Sequence, residues 1–196
     1  MKQLRQYIRN ILIESFGNFE AYQGIIDPPV SEDQRIDELN LIKAQMDSPF
    51  NTDETQADLD RNYERLFVEL LDLRGIKESE EDLKNISEEI VPAIKKLKKH
   101  YNIERPQALA DKIDFEIKTD QDTMATAQTE SYPSGHTAQA YMIALVLTEK
   151  YPHLQTPLMH LAECVAQSRV DRGVHFPSDL KGGKQLALYL FNGGTI

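Results

Sequence analysis

The sequence predicts an all-α fold, a helical bundle. Apolar residues recur at spacings of three and four through most of the 196 residues, helix-capping signals fall at the ends of those runs, and no segment alternates as a half-buried strand does. Leu4, Ile8, Ile11, Leu12 and Phe16 define a first helix stopped by Gly17-Asn18, and its other face is basic. It reads as a docking helix, with membrane-surface or partner binding as the alternative. After Pro28-Pro29, Ser31 with Gln34 three residues later forms a capping box that opens a second helix through Ile36, Leu39, Ile42 and Met46.

Residues 47–57 are polar and turn-forming, which divides the chain into an N-terminal helical extension, 1–57, and a helical core, 58–196. In the core, Leu59, Tyr63, Leu66, Phe67, Leu70 and Leu71 mark a helix that Gly75 can cap. Ser79 starts an acidic stretch with Leu83, Ile86, Ile90, Ile94, Leu97 and Tyr101 on its apolar face. Pro92 inside it either kinks one helix or begins another. Residues 107–130 have no clean period and read as a loop with at most one short helix. Thr137–Lys150 is apolar nearly all round, as a buried central helix should be. Pro157–Val170 and Pro177–Phe191 complete the set.

A formal net charge of -10 opposes nonspecific nucleic-acid binding, so any cationic site must be local. No run approaches the roughly 20 apolar residues of a membrane span, so integral membrane association is not expected. Ile11-Leu12-Ile13 is too short for a signal-peptide core, and the expected location is cytoplasmic. The single cysteine, Cys164, permits no intrachain disulfide and reads as a small core residue. A homo-oligomer stays open.

The chemistry concentrates in three segments. Ser168 to Asp179 offers Arg169, His175 and Asp179; a neutral histidine can attack phosphorus if an acceptor on its other ring nitrogen aims it, and Asp179, four residues on, can be that acceptor. Asp171 and Arg172 read as a solvated turn. Ser134-Gly135-His136 opens the buried helix, putting backbone N–H groups and a hydroxyl at a helix N-terminus, with His136 placed to protonate a leaving oxygen. Arg105 can clamp two phosphate oxygens with its planar fork, and Lys98, seven positions earlier, adds a point charge. His100, His153 and His160 lack companions at catalytic spacing. No metal-ligand motif appears, so neither a metal nor another cofactor is expected.

Taken together, Lys98 with Arg105-Pro106, Pro133-Ser134-Gly135-His136, and Ser168-Arg169 with His175 and Asp179 resemble the three-part signature of the type 2 phosphatidic acid phosphatase superfamily. The form Ser-Tyr-Pro-Ser-Gly-His-Thr is most similar to that of the class A non-specific acid phosphatases. The resemblance implies a helical fold with the site at the ends of a bundle. It also implies an acid phosphatase acting on a small phosphorylated substrate, in which His175 becomes phosphorylated, Asp179 orients it, His136 protonates the leaving group, and Lys98, Arg105, Ser134, Gly135 and Arg169 hold the phosphate. Vanadate is then expected as an inhibitor and transition-state mimic. The alternatives are a vanadate-binding haloperoxidase and a non-catalytic phosphate-binding or structural protein on the same scaffold.

Overall fold

The computed structural model describes residues 26–47, 59–120 and 127–193; the helix expected over residues 4–16 and most of the 47–57 linker lie outside them. The described residues are helical without a β-strand, as the periodicity requires. Helix α1, Glu32–Met46, opens on the expected capping box, with both reciprocal Ser31–Gln34 bonds present. Helix α2, Tyr63–Asp72, buries Tyr63, Phe67 and Leu71. It is followed by Gly75 at φ +72°, a left-handed turn position where a side chain would be strained.

Pro92 begins a helix rather than kinking one. Helix α3, Glu80–Glu89, is capped by Ser79, and α4, Val91–Tyr101, carries Pro92 in its first turn, where the missing N–H has no intrahelical acceptor to lose. The chain reverses at Asn102, whose φ of 48° ends α4. The short helix of the 107–130 region is α5, Pro106–Lys112. Helix α6, Gly135–Lys150, follows, and a 3-10 turn at Pro152–Leu154 leads into α7, Gln155–Asp171, and then α8, Pro177–Phe191.

Because α6 is apolar on all sides, it can satisfy its burial only at the centre, and it packs chiefly against α7 and α8. A second, smaller core joins Leu39 and Ile42 of α1 to Leu109 and Ala110 of α5 and to Val170 and Phe176, which bracket the loop before α8. Each such buried aliphatic side chain contributes about 1.5–3 kcal/mol. Helix α1 thereby touches the start of α8 directly: Glu38 accepts hydrogen bonds from Ser178 N at 3.0 Å and Ser178 Oγ at 2.8 Å, capping the first turn of α8.

Two side chains differ from expectation. Cys164 is half-buried with Sγ 3.7 Å from His160 Nε2, because Ala162, Val165 and Ala166 take the inward face of α7. Arg172 is not merely solvated: its Nε donates to Asp120 Oδ2 at 2.8 Å and its carbonyl accepts from Asp120 N, tying residue 120 to the loop after α7. His100, His153 and His160 are exposed.

Helix α8 meets the Tyr132–Ala138 segment through two glycines. A Cβ on Gly183 would lie 2.6 Å from the Ser134 carbonyl oxygen, and one on Gly182 would lie 2.5 Å from the Tyr132 ring. Alanine in a helix interior is worth about 1 kcal/mol over glycine, whereas overpacking costs typically 1–3 kcal/mol. Because the obstacle at Gly183 is backbone, the steric cost wins. Gly183→Ala is expected to lower the unfolding free energy by about 1–2 kcal/mol in urea titration; an unchanged or raised midpoint would show that the helices separate without cost.

Candidate active site

The loop between α7 and α8 carries His175, and its geometry follows from two short-range constraints. His175 N donates to the Arg169 carbonyl at 3.3 Å, which folds the loop back onto α7, and Asp179, in the first turn of α8, accepts from Phe176 N at 3.0 Å. The same carboxylate oxygen sits 2.9 Å from His175 Nδ1. Nδ1–H therefore donates to Asp179, and the lone pair of the neutral ring is on Nε2. Nε2 faces the Arg105 guanidinium, with Nη1 at 3.2 Å.

Ser131 completes this unit, although sequence reasoning assigned it no role. Its hydroxyl donates to Asp179 Oδ2 at 2.5 Å and lies 3.3 Å from His175 Nδ1, with the residue fully buried. Burial raises the Asp179 carboxyl above its ordinary range, while the bonds from Ser131 and Phe176 N oppose that rise. Burial, then the charges of Arg105, Lys98 and Arg169, push His175 well below the usual histidine range. Both effects favour the neutral imidazole.

Around this pair the structure gathers the expected cations. Arg105 precedes α5 and is 4% exposed; its Nε donates to Thr129 O at 2.8 Å and its Nη1 to Val174 O at 2.6 Å. Lys98, near the end of α4, donates to the carbonyls of Glu130 and Ser131. Burial and the neighbouring Arg105 bring the Lys98 ammonium down to about 7. Arg169 is 0% exposed, yet among the described residues its Nε and Nη2 have no hydrogen-bond partner. Unpaired buried donors on a charged group are costly, and an acceptor brought to them would relieve that cost.

Ser134 acts first as the cap of α6. Its Oγ accepts from Thr137 N at 3.4 Å and from Thr137 Oγ1 at 2.9 Å, and its own N–H donates to the Asp179 carbonyl, locking α6 to α8. A Cβ on Gly135 would meet only ordinary contact with Ile94 at 3.5 Å, so packing does not demand glycine there. His136, in the first turn, is 14% exposed at its side chain, and burial followed by the Arg169 charge holds it well below the usual range.

A second residue missed by the sequence reading is Asp60. It is 7% exposed and ion-paired to Arg169 Nη1, while His136 Nε2 lies 3.1 Å from its carbonyl and 3.3 Å from its Oδ1. With Nε2 engaged there, Nδ1 is the nitrogen of His136 from which a proton can leave. A signal existed in the sequence, where Asp60 precedes Tyr63, Phe67 and Leu71 at three-, seven- and eleven-residue intervals, although Asn62 interrupts the helix between Asp60 and α2. A carboxylate in such a pattern needs a partner.

In this helical architecture two histidines and three buried cations converge from four parts of the chain. Residues 86–193 match the PAP2 superfamily, and the chain belongs to it. It is 34% identical over 94 residues to a non-specific acid phosphatase of Salmonella typhimurium, covering 48% of this chain and 36% of that protein. It is also 31% identical over 94 residues to an acid phosphatase of Zymomonas mobilis, covering 48% of this chain and 34% of that one. A non-specific acid phosphatase of Providencia stuartii is 40% identical over 68 residues, 35% of this chain and 27% of that protein. The chain thus matches about a third of the length of these relatives. Among the described residues, no helix is long and apolar enough to cross a membrane.

Proposed function

We propose that the protein is a metal-independent acid phosphatase that hydrolyses phosphomonoesters through a phosphohistidine at His175 Nε2. The observation that carries the reading is the pairing of His175 Nδ1 with Asp179, which leaves the Nε2 lone pair beside the Arg105 guanidinium. In the first half-reaction the N–P bond forms as the P–O bond to the leaving group breaks, and the His136 proton passes to the departing oxygen. Water then attacks the phosphohistidine, His136 accepts its proton, and orthophosphate and neutral His175 are regenerated. Arg105, Arg169 and Lys98 neutralise the equatorial oxygens, and the Ser134 hydroxyl and the Gly135 N–H add neutral donors.

The pH dependence follows from His136. Its imidazolium is the competent acid, and burial with three cations disfavours that form, so the rate should rise as pH falls below neutrality. A phosphate dianion in the site offsets those cations and favours the charged ring.

The test is hydrolysis of p-nitrophenyl phosphate in EDTA across pH 4–9, with and without vanadate. Turnover is expected to survive EDTA, to fall above neutrality, and to be blocked by vanadate, whose trigonal-bipyramidal adduct resembles the transition state. Quenching in alkaline detergent during turnover should trap an alkali-stable, acid-labile phosphate on the peptide containing His175. Loss of activity in EDTA, or a phosphate trapped elsewhere, would overturn the reading.

A further inference from the structure

A cavity of about 420 Å³ adjoins Arg105, walled by Arg35 of α1, Asn102, Glu104, Lys112 of α5 and Glu130. We propose that it is a second anion subsite: the preferred substrate carries, on its leaving group, a carboxylate or a further phosphate that Arg35 binds. The inference rests on the phosphatase reading above. Arg105 joins the two places, since the same side chain walls the cavity and stands 3.2 Å from His175 Nε2.

Arg35 is short of partners. The residue is 8% exposed, and its guanidinium has one good acceptor, the Val30 carbonyl 2.8 Å from Nη1. Among the described residues its Nε is buried without a hydrogen-bond partner, and its Nη2 lies 3.9 Å from Glu32, whose side chain is 61% exposed. The Arg35 charge also reaches Glu38, but both Glu38 oxygens are occupied by Ser178. A guanidinium has five N–H donors, and withholding acceptors from a buried one is unfavourable. An anion in the adjoining cavity, which Arg35 lines, adds an acceptor to the few that this guanidinium has.

The local charge favours an anion despite the acidic chain. Lys112 pairs with Glu104, so the wall sets Arg35 and Arg105 against Glu130 and keeps one net positive charge, in a protein whose formal net charge is -10. Arg35 lies outside the residues 86–193 that match the superfamily. Helix α1 thus adds Arg35 to a cavity whose other lining residues, Asn102 to Glu130, lie within that part of the chain.

Matched substrates test this. Glycerol 3-phosphate and 3-phosphoglycerate differ at one end by a hydroxymethyl against a carboxylate, and fructose 6-phosphate and fructose 1,6-bisphosphate pose the same question for a second phosphate. The protein should prefer the doubly anionic member of at least one pair by about tenfold or more in kcat/KM, the scale of one charge-assisted hydrogen bond. Arg35→Gln should erase that preference while changing the singly anionic substrate by less than about twofold, and Arg35→Lys should restore part of it. No preference in either pair, or an equal loss on both members in Arg35→Gln, would overturn the subsite. Calorimetric titration with pyrophosphate and orthophosphate separates this from failure of the phosphatase reading. Absent turnover with pyrophosphate bound more tightly, and that advantage lost in Arg35→Gln, would overturn the phosphatase reading and support the subsite. Absent turnover without a pyrophosphate advantage would overturn the subsite also.

Discussion

Replacing His175 with alanine is expected to reduce p-nitrophenyl phosphate turnover by roughly 10⁴- to 10⁶-fold, the scale seen when a covalent nucleophile is deleted. Most of the anion-holding groups survive the change. Arg105 keeps its bonds to Thr129 and Val174, Lys98 keeps the two carbonyls, and Arg169 keeps Asp60. Asp179 loses its histidine but retains the Ser131 hydroxyl and Phe176 N–H, so its carboxylate is not stranded. The variant should therefore fold and still bind orthophosphate, with kcat lost and phosphate affinity changed by less than about tenfold. Initial rates paired with orthophosphate titration and a thermal melt check this. A variant that binds phosphate, melts cooperatively and retains a tenth of the activity would place the nucleophile elsewhere.

Asp60→Asn should have the next largest effect, about 10²-fold in kcat, within the range that general acid catalysis supplies. Asparagine keeps an acceptor for Arg169 but removes the negative charge that lies 3.3 Å from His136 Nε2. The sign is fixed by the equilibrium of the acid. An opposite charge at that range favours the charged form, so its loss makes the imidazolium scarcer at any given pH. The decline of rate with rising pH should accordingly begin at lower pH in the variant. Arg169, freed of its counter-charge, should hold orthophosphate at least as well as before, so product inhibition is not weakened. A parallel loss of kcat and phosphate affinity, with an unmoved pH profile, would mean that Asp60 serves only the packing of α2 against α7.

Much of the fold was legible because helix periodicity and capping are local. The Ser31–Gln34 capping box, the buried α6 and the positions of α7 and α8 all depend on residues within a few turns of one another. Pro92 was ambiguous for the same reason: kink and new start have one local pattern, and the packing of α3 and α4 decides between them. Cys164 shows the opposite failure. Its neighbours are apolar, but which of them face inward is set by the approach of α6, and Ala162, Val165 and Ala166 took those positions.

The candidate site divides along the same line. Lys98, Arg105, Ser134, Gly135, His136, Arg169, His175 and Asp179 are picked out in the sequence by their joint resemblance to the superfamily's three-part signature; taken alone, Lys98 reads as one of a solvated lysine run and Arg169 as a helix-end charge. Asp60, Ser131, Glu38 and Arg35 are not among the residues of that signature. Asp60 reaches Arg169 across 109 positions, and Glu38 reaches Ser178 across 140. The sequence by itself determined which groups were available for chemistry and on which helices they stand, since residue type and local period are properties of the chain. Only the tertiary structure decided which groups meet, because a buried charge takes the partner that the packing of distant helices brings within hydrogen-bond reach.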